Sequence, residues 1–197
     1  MKILVVFAHP RFESSVVQRK LLDRVGDIDA VTIHDLYGAY PDFQIDAESE
    51  KTRLLQNDIV VLQHPFYWYS VPAIIKEWLD LVLEFNWAYG PRGDALQGKF
   101  LMSALSTGGD EHAYRQSGRN RFPIEHFLAP LNQTAHLCGM GWLKPFIIYS
   151  GRRLGAVELS RKAADYRHIL AGLSDGSIDP LDMLAPGYTM PAAGKVG

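Results

Sequence analysis

Ile59-Val60-Val61-Leu62 is an unbroken apolar run, and its place ahead of an amphipathic helix narrows the fold more than any other feature of the chain. A strand with apolar side chains on both faces must be covered on both, as in a parallel sheet packed between helices. Downstream, Ile74, Ile75, Trp78, Leu79, Val82 and Phe85 recur on one helical face, with Lys76, Glu77, Asp80 and Glu84 on the other. The connector between strand and helix reads His64-Pro65-Phe66-Tyr67-Trp68-Tyr69-Ser70-Val71-Pro72. Ser70 is placed to cap the helix, and Pro72 suits its first turn. In open α/β sheets, ligands bind outside the carboxyl ends of strands, where such connectors emerge. The rings of this connector suit a wall for a flat aromatic ligand; the alternative is an apolar plug or a subunit contact.

The same unit recurs along the chain. Residues 2–8 (KILVVFA) form a first buried strand, and residues 9–15 lead into a helix. That helix sets Val17, Leu21 and Val25 on one face and Gln18, Arg19, Lys20 and Arg24 on the other, with Ser14 or Ser15 as its N-cap. A polar loop meeting a helix N-terminus suits an anion, because free N–H groups and the helix dipole both favour negative charge. Neither G-x-G-x-x-G nor G-x-x-x-x-G-K-[ST] occurs. Residues 29–35 form a second strand with Val31 and Ile33 alternating against polar neighbours, followed by a turn-rich link over residues 37–43. Asp46 caps a helix that runs to about Gln56, with Glu48 and Glu50 in its first turn.

Residues 100–105 are another buried strand, ending in Ser106-Thr107-Gly108-Gly109. Paired glycines there either let backbone amides approach a ligand or supply a tight turn at positive φ. Residues 112–123 are polar and irregular, and residues 123–139 are apolar, with Pro130 kinking or splitting the segment. A last strand falls within residues 142–150, and Leu159, Ala163, Tyr166, Leu170 and Leu173 form the stripe of a final helix. Residues 1–174 make one domain, and residues 175–197 make a C-terminal extension without a core of its own.

Five strands alternating with helices give a doubly wound parallel sheet of order 2-1-3-4-5 in a three-layer α/β/α arrangement. In that order the first, third and fourth strands are neighbours, so residues 9–15, 65–69 and 106–109 converge on one crevice. A phosphate site, an aromatic wall and a polar edge together describe a flavin nucleotide. The formal charge of -2 gives no electrostatic footprint for nucleic acid or an anionic membrane. The lone Cys138 excludes an internal disulfide and fits a reducing compartment. The histidines show no ligand spacing for a metal, and His64 reads as a structural hydrogen-bonder. The chain enters a strand directly after Met1 and has no run of roughly 18 apolar residues, which points to the cytoplasm.

Several short pieces then carry a resemblance. They are Ala8-His9-Pro10 with Ser15, Tyr40-Pro41-Asp42-Phe43, Gln63-His64-Pro65 with Trp68-Tyr69-Ser70, Ile75-Lys76-Glu77-Trp78-Leu79-Asp80 and Thr107-Gly108-Gly109. Ala113-Tyr114-Arg115, Asn120-Arg121-Phe122-Pro123, Trp142-Leu143 with Pro145, Ile147-Ile148-Tyr149 and Arg152-Arg153 extend it through about residue 174. On these residues the chain resembles the flavodoxin-like NAD(P)H:quinone reductase family, and within it the ancillary proteins of bacterial glutathione-gated potassium-efflux systems.

The resemblance implies a homodimeric flavoprotein that uses FMN in preference to FAD. It implies NADH or NADPH as electron donor and ping-pong, two-electron hydride transfer through flavin N5 to a quinone or similar electrophilic acceptor. Carried over by position, His9, Ser15, Val16, Val17 and Gln18 surround the flavin phosphate and ribityl chain. Pro65, Phe66, Tyr67, Trp68 and Tyr69 line the isoalloxazine ring, and Ser106, Thr107, Gly108 and Gly109 meet its pyrimidine edge. Tyr114 matches a catalytic tyrosine of the family, but the histidine that accompanies it is replaced by Asn120 or its neighbour Arg119. The resemblance also implies an alternative role. The chain would be a regulatory ancillary subunit of a potassium/proton antiporter, with auxiliary redox activity, peripheral on the cytoplasmic face of the inner membrane.

Overall fold

The apolar runs of the sequence become the strands of one parallel sheet in a computed structural model that describes residues 1–192. Strands β1 (Ile3–Phe7), β2 (Val31–Asp35), β3 (Ile59–Pro65), β4 (Phe100–Ser106) and β5 (Gly141–Trp142) lie in the order β2-β1-β3-β4-β5, and β6 (Phe146–Ile148) also pairs with β4. Val5 pairs with Val61 and Val61 with Met102, all fully buried at the centre of the sheet. Successive side chains point to opposite faces, so each strand feeds two cores. Ile3, Val5, Phe7 and Val61 pack against α1 (Val16–Val25) and α6 (Ala156–Asp175). Leu4, Val6, Val60 and Leu62 pack against α2 (Leu36–Ala39), α3 (Ala47–Leu55), α4 (Ala73–Val82) and α5 (Ile124–Leu137).

Several local expectations change. The last strand is two pieces, because Phe100 pairs with Gly141 whereas Ala104 pairs with Phe146, one residue further along the partner. Pro145, which has no N–H to give a ladder, lies in the interruption. There the Lys144 N–H donates to Met183 O at 2.7 Å, and the Ala185 N–H donates to Trp142 O at 3.0 Å. The segment after α6 thus covers the sheet edge, and Ile178, Met183, Leu184 and Met190 pack on the α1/α6 core. The remainder of the expected extension, residues 193–197, lies outside the described residues.

Pro72, not Ser70, is the N-cap of α4, and α4 ends at Val82, leaving Phe85 exposed beyond it. Helix α5 runs through Pro130 without splitting, and the Thr134 hydroxyl donates to the Pro130 carbonyl. Gln18, grouped with the solvent-facing residues of α1, is fully buried. In β2 it is His34 that turns inward, while Ile33 is exposed.

Glu50 shows why the polar face of a helix cannot be read from pattern alone. Expected as a first-turn acid facing the dipole, it is fully buried between α3, α4 and β2. The Tyr40 hydroxyl donates to its Oε1 and the Trp78 indole N–H to its Oε2, each at 2.8 Å. His34 Nε2 stands 2.8 Å from Oε1, close but poorly aligned, with Arg53 Nε at 3.4 Å. Burial pushes the Glu50 carboxyl up, yet the close approach of His34 and the hydrogen bonds from Trp78 and Tyr40 outweigh it and leave the pKa lowered. Such a carboxyl contributes stability that is fully present above its ordinary value of 4.5 and is lost as pH falls through the folded-state value. Glu50→Gln is therefore expected to melt roughly 5–10 °C below the parent at neutral pH. Its melting temperature should also fall less steeply than the parent's as pH drops below 4.5. Parallel curves in a thermal-melt series across pH would overturn this account of Glu50.

Candidate functional site

The crevice opens where β1, β3 and β4 end side by side. After β1, residues 12–14 form a 3-10 turn, and Ser15 caps α1 by accepting the Gln18 N–H at 3.3 Å. The cap leaves the first-turn amides of Val16 and Val17 without helical partners, which is the anion-binding property of a helix start. Arg19 donates to the Glu13 carbonyl and lies 5.7 Å from the Phe12 ring, so it braces the turn. The Arg11 N–H donates to His9 Nδ1 at 3.1 Å. Burial and the nearby Arg11 charge both lower the His9 pKa. A neutral ring that accepts at Nδ1 carries its hydrogen on Nε2 and so remains a donor.

After β3, Tyr67 and Ser70 exchange two backbone hydrogen bonds of 3.1 and 3.0 Å. The two residues at the tip, Trp68 and Tyr69, both take positive φ, 46° and 63°. This is a hairpin whose tip is left-handed at both positions, a geometry that favours Asn-Gly and strains bulky side chains. Trp68 is 93% exposed, whereas Phe66 is buried. Tyr67 sets its ring edge-on to His9 at 6.1 Å, joining the first two loops. Tyr69 stacks on Phe127 at 5.2 Å, and Phe66 meets Tyr69, Tyr114 and Phe127 edge-on. Pro65 is the last residue of β3, paired with Ser106.

After β4, neither Gly108 nor Gly109 adopts positive φ, so these glycines serve space rather than turn geometry. A side chain at Gly108 would project into open space. At Gly109 a Cβ would crowd Tyr114 at 3.1 Å and Arg119 at 3.2 Å. Thr107 is buried and donates its hydroxyl to Gly109 O at 2.7 Å. Asp110 caps the turn that carries Tyr114 by accepting the Ala113 N–H at 2.8 Å. Tyr114 is buried, which raises its phenol pKa and keeps the hydroxyl protonated. The Asn120 N–H donates to Ala113 O at 3.0 Å, holding Asn120 beside that turn.

Phe66, Trp68, Tyr69, Gly108, Gly109, Tyr114, Arg119 and Asn120 thus share one open cavity of about 470 Å³. His9 is linked to the aromatic hairpin through Tyr67, whereas Ser15 and Val16 line a separate hollow with Glu13, Arg19 and Lys20. Gln18 behaves differently from its expected neighbours, since its amide donates to Ser106 Oγ at 3.0 Å and its carbonyl accepts from Gln63. Its side chain builds the wall instead of facing the crevice. His64 is fully buried between the Pro65 carbonyl and Ser103, and burial pulls its pKa down to about 4. Burial also pushes the Cys138 thiol up to about 11. Among the described residues no cluster of His, Cys, Asp and Glu side chains suits a metal, and no helix is long and apolar enough to cross a membrane.

Two contributions escaped the sequence reading. Phe127, counted only as part of an apolar segment, is the hub of the aromatic wall. A fourth loop also takes part: the Ser150 N–H donates to Gly109 O at 2.8 Å and the Gly151 N–H to Thr107 O at 2.9 Å. The strand order carried that signal, because the strand after β4 must deliver its own carboxyl-end loop beside the glycine pair.

Known proteins share this fold. The family described as "Flavodoxin-like fold" matches residues 1–170. The ancillary protein KefG of the glutathione-regulated potassium-efflux system of Pectobacterium carotovorum is 46% identical over 170 residues, covering 86% of this chain and 93% of that protein. General stress protein 14 of Treponema denticola, solved in complex with FMN, is 34% identical with a TM-score of 0.84, covering 88% of this chain and 99% of that one. An NADPH-quinone reductase from P. pentosaceus is 30% identical with a TM-score of 0.79, covering 86% and 97%. The chain belongs to the flavodoxin-like NAD(P)H:quinone reductase family, with the potassium-efflux ancillary proteins among its relatives.

Proposed function

We propose that this protein is an FMN-dependent NAD(P)H:quinone oxidoreductase that works by two-electron ping-pong transfer through flavin N5. The observation that carries the reading is the adjacency of three unlike binding elements on neighbouring strand tips: a capped helix start, an aromatic hairpin and a glycine pair facing open space. These residues fit a planar, phosphorylated heterocycle. When bound, FMN supplies two-electron exchange between NADH or NADPH and a quinone or similar electrophile.

Ser15, Val16 and Val17 would hold the phosphate through first-turn amides and the capping hydroxyl, with neutral His9 donating from Nε2. Phe66, Tyr67, Trp68 and Tyr69 would form the wall of the ring, excluding water from one side. Thr107 fixes the loop, so that the backbone of Gly108 and Gly109 can approach a polar edge without obstruction. Tyr114 stays protonated and can donate, while Arg119 supplies a positive charge where negative charge develops; Asn120 supplies only a hydrogen bond. Groups already fixed in place do not reorganise during the reaction, so their stabilisation is larger than in water.

The acceptor would share the 470 Å³ cavity after the nicotinamide leaves, which is what a ping-pong order requires of one pocket. The apolar groove of about 480 Å³ between α4 and α5, lined by Leu79, Leu83, Leu131 and Phe127, is where we place the second copy of a homodimer. Cytoplasmic residence follows from the same reading.

A second reading rests on the 46% identity to the efflux ancillary proteins and on the exchange of the family histidine for Arg119 or Asn120. Under it the protein regulates a potassium/proton antiporter from the cytoplasmic face of the membrane, and its redox activity is auxiliary.

Purified protein should be yellow, release FMN on denaturation as identified by mass spectrometry, and bleach under NADH or NADPH. A colourless protein that ignores added FMN sinks the reading. Arg119→Ala is expected to lower kcat for a soluble quinone about tenfold while FMN stays bound; an unchanged kcat removes Arg119 from the mechanism. For the second reading, deletion should reduce electrophile-stimulated potassium efflux in the source cell. Unaltered efflux, with no antiporter retained on the tagged protein, dismisses it.

A further inference from the structure

Four elements far apart in the chain each give one side chain to a buried polar chain that ends at the crevice. On α6 the Tyr166 hydroxyl donates to Gln63 Oε1 of β3 at 2.9 Å. The Gln63 amide donates to Gln18 Oε1 of α1 at 3.0 Å, and the Gln18 amide donates to Ser106 Oγ of β4 at 3.0 Å. Tyr166, Gln63 and Gln18 are fully buried, whereas Ser106 is half-buried at the strand tip.

A chain of hydroxyls and amides could run in either direction, and two features of this one choose. Gln63 Nε2 lies 3.4 Å from the backbone carbonyl of Gln18 as well as 3.0 Å from its side-chain oxygen. Turning the Gln63 amide over would set its oxygen against two other oxygens. Tyr166 is sealed in the core, and burial raises its pKa, so its hydrogen stays on the oxygen and must be donated to something. Gln63 Oε1 is its acceptor. With both ends pointing the same way, the Gln18 amide must donate to Ser106, and the Ser106 oxygen has its inward side filled. Among the described residues the Ser106 hydroxyl donates to no protein acceptor, which leaves its hydrogen for a ligand at this strand tip.

We propose that Gln63 and Tyr166 are positioning residues that, through Gln18, hold the Ser106 hydroxyl as a donor toward an oxygen of bound FMN. The proposal rests on the flavin reading above. Neither residue touches the crevice. Their effect is to forbid the alternative in which the Ser106 hydrogen turns inward and its oxygen meets the ligand as an acceptor. Removing the phenol hydroxyl leaves only the longer contact to the Gln18 backbone carbonyl to orient the two amides, so Tyr166→Phe should act on the ligand through Ser106 alone.

The test is a double-mutant cycle on the full chain, reading FMN dissociation constants by fluorescence titration. Tyr166→Phe and Ser106→Ala should each weaken FMN binding roughly threefold to tenfold, the range of one net hydrogen bond. The double variant should bind no more weakly than Ser106→Ala alone. A purely structural role for Tyr166 predicts instead that the two losses multiply in full. That result, or a Tyr166→Phe protein with parental affinity, overturns the proposal while leaving FMN binding intact. A parent protein that binds no FMN overturns the flavin reading and this inference with it. Should Tyr166→Phe fail to fold, Gln63→Met breaks the same chain one link nearer the site, and the same cycle with Ser106→Ala decides.

Discussion

A parallel sheet covered by helices on both faces leaves its strand ends as the place where ligands can reach the centre of the fold. The strand order here puts β1, β3 and β4 next to one another, so three connectors emerge within reach of a single small molecule. Other parts of the molecule serve that placement. Residues 150 and 151 tie down the glycine loop from the next strand, and Arg19 braces the turn ahead of α1. The two cores are divided by the sheet, and the polar chain from Tyr166 to Ser106 starts in the α1/α6 core and reaches the edge of the sheet.

The crevice is electrically uneven. On the β1 side its donors are helix amides and a neutral imidazole, which act through partial charges. On the β4 side stands Arg119, a full positive charge next to the glycine pair. Arg19 is instead turned to Glu13 and Phe12. The two sides of this crevice therefore present different electrostatics, partial charges beside β1 and a full charge beside β4.

Much of the architecture was legible in the sequence because it rests on periodicity. Continuous apolar runs mark strands buried on both faces, and the stripe from Leu159 to Leu173 is buried at every position. Ser15 and Asp46 are helix caps because short oxygen side chains satisfy first-turn amides. What escaped was polar burial. Glu50, Gln18, His34 and Gln63 all look like surface residues by composition, and Glu50, Gln18 and Gln63 are sealed in because partners distant in the chain satisfy them, while His34 is buried against Glu50. Pattern along one element cannot reveal a partner on another. The same limit hid Phe127, whose importance comes from rings on three other segments, and the split in the last strand, which depends on the edge segment pairing at Lys144 and Trp142.

The hairpin tip at Trp68 and Tyr69 has a wider consequence. Two bulky residues hold a backbone shape that glycine or asparagine would adopt with less strain, at a cost of roughly 1–3 kcal/mol each. A redesign guided by thermal robustness alone would choose Asn-Gly for these two positions and gain stability from the exchange. It would also strip the indole and phenol rings from the mouth of the cavity. At this turn, resistance to heat and an aromatic mouth to the cavity ask for opposite residues, and the chain carries the aromatic ones.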